Sequence, residues 1–357
     1  MSAAVLAPFF VGSLALLAIL VVLVVVRKLG RSSTERRSRG RVPRYAIALT
    51  AGSAEALTAV AREALRPAPA DDLVTALARV EAELGPERRR VLAEACAQSG
   101  LARRLRADLG ARGPVARGRA ALLVARLGLP DAPALLDPLL ADPDVDVRHA
   151  ALAGLTIDAS PDAARALVRA LRDEVLPVER VAERLGAPWA AGVLLDAWFD
   201  PRFAPTRGWI AESLGLARCG AAVPPLQALL DEGDDDERVR AARALGKIGG
   251  PAARETLFAA LDDPYAPVRA QAVRALGELG HTPAAPALRV HLADPAWWVR
   301  ANAAQALRAL GEPGLAELRA AAQDPDRFAR DRAAEALSLE AALEAAEPRG
   351  ALAGAAS

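Results

Sequence analysis

From about residue 53 onward, apolar positions recur with the period of a helix, and no run alternates in the manner of a strand. The stretch "DPYAPVRAQAVRALGELG", Asp263 to Gly280, returns at Asp294 as "DPAWWVRANAAQALRALG" and at Asp324 as "DPDRFARDRAAEALS". Taking the arginine of "VR" as an anchor, the residue before it and those three, six and seven beyond are mostly Val, Ala and Leu. They form one buried stripe. Anchors fall at Arg89, Arg117, Arg148, Glu179, Arg207, Arg238, Arg269, Arg300 and Arg330, separated by 28, 31, 31, 28, 31, 31, 31 and 30 residues. A period near 31 held this long predicts an array of stacked units. Small residues eight and eleven beyond the anchor, such as Gly246 and Gly249 or Gly277 and Gly280, are expected to end one helix and open a turn. A shorter helix follows in "AAVPPLQALLD", "PAARETLFAALD" and "PAAPALRVHLAD". Each unit is thus a helical hairpin whose apolar face is covered only by its neighbours. The fold class predicted is all-α, an α-solenoid of about nine hairpins.

These units resemble HEAT repeats of the short bacterial, phycobilisome-lyase-like class, over about Asp71 to Leu339. The resemblance implies an aspartate and a basic residue six positions apart that link neighbouring turns. Asp142/Arg148, Asp263/Arg269, Asp294/Arg300 and Asp324/Arg330 match that spacing, whereas Asp173 precedes Glu179, so the series should break there. Physically, such a carboxylate can cap the following helix while the guanidinium bonds turn carbonyls or that carboxylate. It also implies that the anchor-bearing second helices line a concave groove. Positions two and five beyond the anchor would face it: Trp209/Glu212, Arg240/Arg243, Gln271/Arg274, Asn302/Gln305 and Arg332/Glu335. Polar and Arg-rich, this groove suits a protein segment carrying negative charge. Trp209 reads either as an interface anchor or, with Trp189, Trp198, Phe199 and Phe203, as filler around the degenerate fourth unit. For Trp297 and Trp298, one ring is expected to pack and the other to be exposed.

Upstream of the repeats, residues 5–26 are 22 apolar residues without a charge, about 33 Å as a helix and enough to span a bilayer. Eight basic residues follow: Arg27, Lys28, Arg31, Arg36, Arg37, Arg39, Arg41 and Arg44. The expectation is a single-pass inner-membrane protein, N-terminus out and repeats cytoplasmic, with these eight near anionic lipid headgroups. The organisation expected is a transmembrane helix at 1–28, a basic juxtamembrane linker at 29–52 and a capping helix at 53–70. The solenoid would cover 71–345, and a disordered tail 346–357.

Charge sharpens the picture. The chain is +1 overall, but 27–45 and 85–130 are each +7 while 131–357 is −10. Aromatics are only 4%, so the core must be built from Ala, Leu and Val. Cys96 and Cys219 lack CxxC spacing, which argues against a disulfide framework or a zinc site. His149, His281 and His291 form no metal motif, and "LGKIGG" lacks the first glycine of a phosphate loop. The acidic run Asp231 to Glu237 lacks calcium-loop spacing and reads as a solvated turn. No catalytic set and no cofactor is expected. The reading is a non-catalytic membrane-anchored scaffold or adaptor for a protein partner, such as envelope or polysaccharide-synthesis machinery. Two rivals stand beside it: an enzyme-related role like that of bilin lyases, from the repeat class, and nucleic-acid binding through the Arg-rich first units ("GPERRRVL", "LARRLRADLGARGPVARGR"). The acidic remainder of the array disfavours the second.

Overall fold

The computed structural model describes residues 38–346, and among these all regular structure is helical, without a strand. The chain divides into two compact units, the first ending at Asp158 and the second beginning at Ala159.

In the first unit, residues 38–51 are helical (α1). Then come α2 (Ala54–Glu63), α3 (Pro67–Val80), α4 (Pro86–Ser99), α5 (Leu101–Asp108), α6 (Pro114–Arg126), α7 (Ala132–Leu136) and α8 (Val145–Asp158). The described part of the stretch expected as a linker, residues 38–52, is therefore almost all helix. Val42, Tyr45 and Leu49, at spacings of three and four, are buried along one side of it. Its C-terminal carbonyls lack partners within the helix. Arg88 supplies them, donating to Ala48, Leu49 and Gly52 oxygens at 2.5–2.6 Å. Ser53 caps α2, and the capping helix expected at 53–70 is two helices, the second opening on Pro67. Of the residues assigned to lipid headgroups, Arg41 pairs with Asp72 and Arg44 with Glu63, while Arg39 is exposed. Arg27, Lys28, Arg31, Arg36 and Arg37 lie outside the described residues.

The second unit contains α9 (Pro161–Arg172), α10 (Val178–Leu185), α11 (Ala191–Trp198), α12 (Arg207–Leu216), α13 (Val223–Glu232) and α14 (Asp235–Ile248). It continues with α15 (Gly250–Ala259), α16 (Ala266–Glu278), α17 (Ala285–Val290), α18 (Trp297–Ala309), α19 (Glu312–Ala321) and α20 (Arg327–Ala346). Second helices stack in order, α10 on α12, then α14, α16, α18 and α20. Val268, Ala272, Ala275 and Leu276 of α16 are buried, as are Val299, Ala303, Ala306 and Leu307 of α18, so the predicted stripe is the core.

One expectation about this packing needs correcting. Gly246 and Gly277 do not end helices; they lie inside α14 and α16. A Cβ on Gly246 would meet Ala275 Cβ at 2.7 Å, and one on Gly277 would meet Ala306 Cα at 2.6 Å. Gly215 faces Ala244 Cα in the same way, also at 2.6 Å. Glycine is present there because successive second helices touch backbone to side chain. The turn role belongs to the residues three further on, Gly249, Gly280 and Gly311, whose φ of 62–69° is left-handed.

Aspartate and arginine join the repeats as expected, with one addition. In each turn the aspartate Oδ1 accepts the backbone N–H two residues on, at 2.7–2.9 Å for Asp142, Asp263, Asp294 and Asp324. The anchor arginine donates Nη1 to its own aspartate's carbonyl, at 2.7–2.9 Å for Arg148, Arg269, Arg300 and Arg330. The remaining face of the guanidinium then forks onto the next repeat's carboxylate. Arg117 does so to Asp142 at 2.8 Å, and Arg269 to Asp294 at 2.8 and 2.9 Å. In the degenerate unit, Asp173 pairs with the adjacent Arg172. At the far end, Arg300 stacks over the Phe328 ring, 4.6 Å from its centre.

The acidic run is a helix start: Asp234 caps α14 and Glu237 reaches back to the Asp234 N–H, a capping box. Asp234→Ala is expected to cost about 1 kcal/mol, read as a lowered thermal midpoint at pH 7.

Among the described residues, no helix is long and apolar enough to cross a membrane. The longest, α20, has 20 residues but carries arginines, an aspartate and glutamates throughout. The expected placement as a single-pass inner-membrane protein is corrected accordingly, and residues 1–28, on which it rested, fall outside the described residues.

Candidate protein-binding groove

The groove residues all lie on second helices of the second unit, where the structure groups them into two clusters. The first joins α12 to α14. Trp209 and Glu212, three apart on α12, face Arg240 and Arg243, three apart on α14. Gly208 lies under Arg240; a Cβ there would stand 2.9 Å from Arg240 Cδ. That absence lets the Arg240 chain cross the helix and set its guanidinium 3.7 Å from the centre of the Trp209 ring. Trp209 is therefore half-buried beneath a cation and is not a bare anchor. Glu212, 15% exposed, receives Arg240 at 3.5 Å, Arg243 at 3.3 Å and Lys247 at 3.2 Å.

Lys247 was absent from the sequence-derived set. It lies four residues beyond Arg243, on the same face of α14, and assigning Gly246 to a turn removed it from view.

The second cluster joins α18 to α20. Gln305, Arg308, Arg332, Glu335 and Leu339 line a cleft of ≈ 300 Å³ floored by alanines. Arg308 holds Glu340 at 2.7 Å and Arg332 holds Glu335 at 2.6 Å. Between the clusters, Asn302 donates to the Ala270 carbonyl at 3.1 Å and so ties α18 to α16. Arg274 donates to Gln271 at 2.5 Å and leaves nearly half of its side chain in solvent.

Other aromatics divide between packing and surface. Trp198 and Phe203 are buried around the degenerate unit, and Phe199 is exposed. Trp297 and Trp298 are 62% and 41% exposed and meet edge to face at 5.9 Å, so neither packs into the core.

The rival readings meet specific geometry. In the first unit, several of the arginines expected to grip phosphates are held by protein groups, as is the neighbouring Arg126. Arg106 forks onto Asp131 at 2.9 Å, Arg104 holds Asp108 at 2.9 Å, Arg119 holds Asp71 at 3.2 Å, and Arg126 bonds the Val74 carbonyl. Among the described residues, no three His, Cys, Asp or Glu side chains come together to hold a metal ion. Burial pushes the Cys96 thiol up to about 12, which keeps it in the thiol form.

The family of HEAT repeats matches residues 193–267 and 254–338. The matched part of the second unit, residues 193–338, is thus made of HEAT repeats, and among the described residues the fold is all-helical. The match is to HEAT repeats in general, and nothing in it singles out the phycobilisome-lyase-like class. No curated protein matches the chain. Solved structures that are similar include human deoxyhypusine hydroxylase in complex with glycerol, at 24% identity and a TM-score of 0.29, over 68% of this chain and 96% of that one. An engineered protein aligns at 20% identity and a TM-score of 0.34, over 84% and 98%. Kap121p aligns at 14% identity and a TM-score of 0.35, over 86% of this chain and 49% of its own.

Proposed function

We propose that this protein is a non-catalytic scaffold or adaptor that holds a partner protein in the groove of its second helices, between α12 and α20. The observation that carries the reading is the run of polar side chains aligned from repeat to repeat on that face, with Arg243, Lys247, Arg274 and Arg332 each about a third or more exposed. A stack of this kind presents one residue pair per repeat at a regular interval, which suits an extended or helical segment. Arginine at such a surface offers forked donors to carboxylates and a flat face to apolar groups.

The test is crosslinking capture with the wild type and with an Arg243→Glu, Arg274→Glu, Gln305→Ala variant. Arg274 and Gln305 are exposed and Arg243 is about a third exposed beside Glu212, so the melting midpoint should fall only modestly while the captured partner is lost. Recovery of the same partners by both proteins would place the binding surface elsewhere.

A further inference from the structure

Resting on the groove reading, we infer that the Trp209–Glu212–Arg240–Arg243–Lys247 cluster is the seat of an acidic segment of the partner protein, with Glu212 acting as the resident counter-ion. Three cations converge on a single carboxylate. Glu212 Oε2 is shared by Arg240 and Arg243, and Oε1 is taken by Lys247. The separations of 3.2–3.5 Å are longer than the 2.8–2.9 Å of the forked pair between Arg269 and Asp294, so one anion is divided among three cations. The group keeps a formal excess of two positive charges in a half-buried place, where like charges repel more strongly than in open water.

The cluster is also built to stay in position. Gly208 leaves room for the Arg240 chain, and the Trp209 ring beneath its guanidinium favours that position. Arg243 and Lys247, by contrast, are 36% and 35% exposed and can turn their donors toward an incoming group. One repeat further on, the exposed Arg274, 3.7 Å from Glu278, presents another guanidinium on the same face.

The opposite layer carries the opposite sign. First helices α13 and α15 frame a cleft of ≈ 490 Å³ lined by Asp231, Glu255, Asp262 and Asp263. An acidic segment is repelled there and attracted to the second-helix side, which is the charge complementarity that sets orientation in such contacts. Two or more carboxylates from the partner would complete what Glu212 alone leaves unbalanced.

The test uses a fluorescein-labelled hexaglutamate peptide, read by fluorescence anisotropy with the full-length chain at low salt. Saturable binding that weakens as salt rises is expected. Arg243→Gln with Lys247→Gln should weaken it about tenfold. Glu212→Gln should tighten it roughly fivefold, because the internal competitor is gone. A cluster that only holds α12 to α14 predicts the reverse for Glu212→Gln, a lower melting midpoint and no gain in binding. Absence of hexaglutamate binding, or equal binding by all variants, would overturn the inference. So would displacement of the peptide by a DNA duplex at equal charge, which would make this a nucleic-acid site. Self-association that these same substitutions abolish, without peptide binding, would make the occupant a second copy and also overturn it. The two readings separate cleanly. If hexaglutamate fails while the groove variant still loses its captured partner, the groove stands and the acidic segment falls.

Discussion

Asp294→Ala is expected to lower the stability of the second unit by about 3 kcal/mol. Its carboxylate is buried, accepts both prongs of Arg269, and accepts the Ala296 N–H at 2.8 Å. Alanine leaves the Arg269 guanidinium, itself largely covered, without its counter-ion and removes the acceptor of the Ala296 N–H in the same step. Chemical denaturation at pH 7 gives the number. A loss below about 1 kcal/mol would mean that solvent reaches Arg269 and that the ladder is ornamental to stability. Acid should mimic part of this effect. Burial raises the Asp294 pKa, but hydrogen bonds from Arg269 and the Ala296 N–H, with the Arg269 charge, outweigh it and hold the carboxyl below the usual range. Asp142 is depressed as well, chiefly by its hydrogen bonds from Arg117. A depressed folded-state pKa contributes stability that is fully present above the unfolded value of about 3.9 and is lost as pH falls through the folded value. The thermal midpoint should therefore ease down below about pH 6.5, where the buried His291, whose pKa burial lowers, binds its proton more readily in the unfolded chain, and fall more steeply below about 4, less so in Asp294→Ala.

Gly277→Val should be nearly as damaging, at about 3 kcal/mol. The first added carbon would stand 2.6 Å from both Cα and Cβ of Ala306, and neither can move without shifting α18 as a whole. Gly192→Ala is the matched control. Nothing lies within 4 Å of a Cβ at that position of α11, so it should stabilise by about 0.5 kcal/mol. If the two substitutions shift the midpoint alike, the close helix approach is not what selects glycine at position 277.

The repeat was legible because burial and period coincide: the residue before each anchor and those three, six and seven beyond are the ones the fold hides. The Asp/Arg spacing of six was legible too, but its consequence was not. The chain reads Asp263 beside Arg269, whereas the fork from Arg269 closes on Asp294, which becomes a neighbour only when repeats stack. Gly246 was misread for a physical reason, since glycine serves both left-handed turns and tight helix contacts, and a single sequence does not separate them. That error hid Lys247, one residue further along the same helix. Helix α1 was overlooked because its arginines suggested a solvated linker, although Val42, Tyr45 and Leu49 already carried a helical spacing. Trp209 does meet Arg240 of the next repeat, as their shared register implied, but the way Arg240 lies over its ring beside Gly208 could not be read from either residue alone.

Where Gly215, Gly246 and Gly277 let successive helices meet, the corresponding position on α18 is Arg308, whose long side chain reaches Glu340 on α20. Helices α12 to α18 thus approach to a distance set by van der Waals contact. The α18–α20 gap is instead propped by a strut of two charged side chains, and an ionic prop yields to dissolved electrolyte where a steric stop does not. The width of that last cleft is accordingly expected to respond to ionic strength.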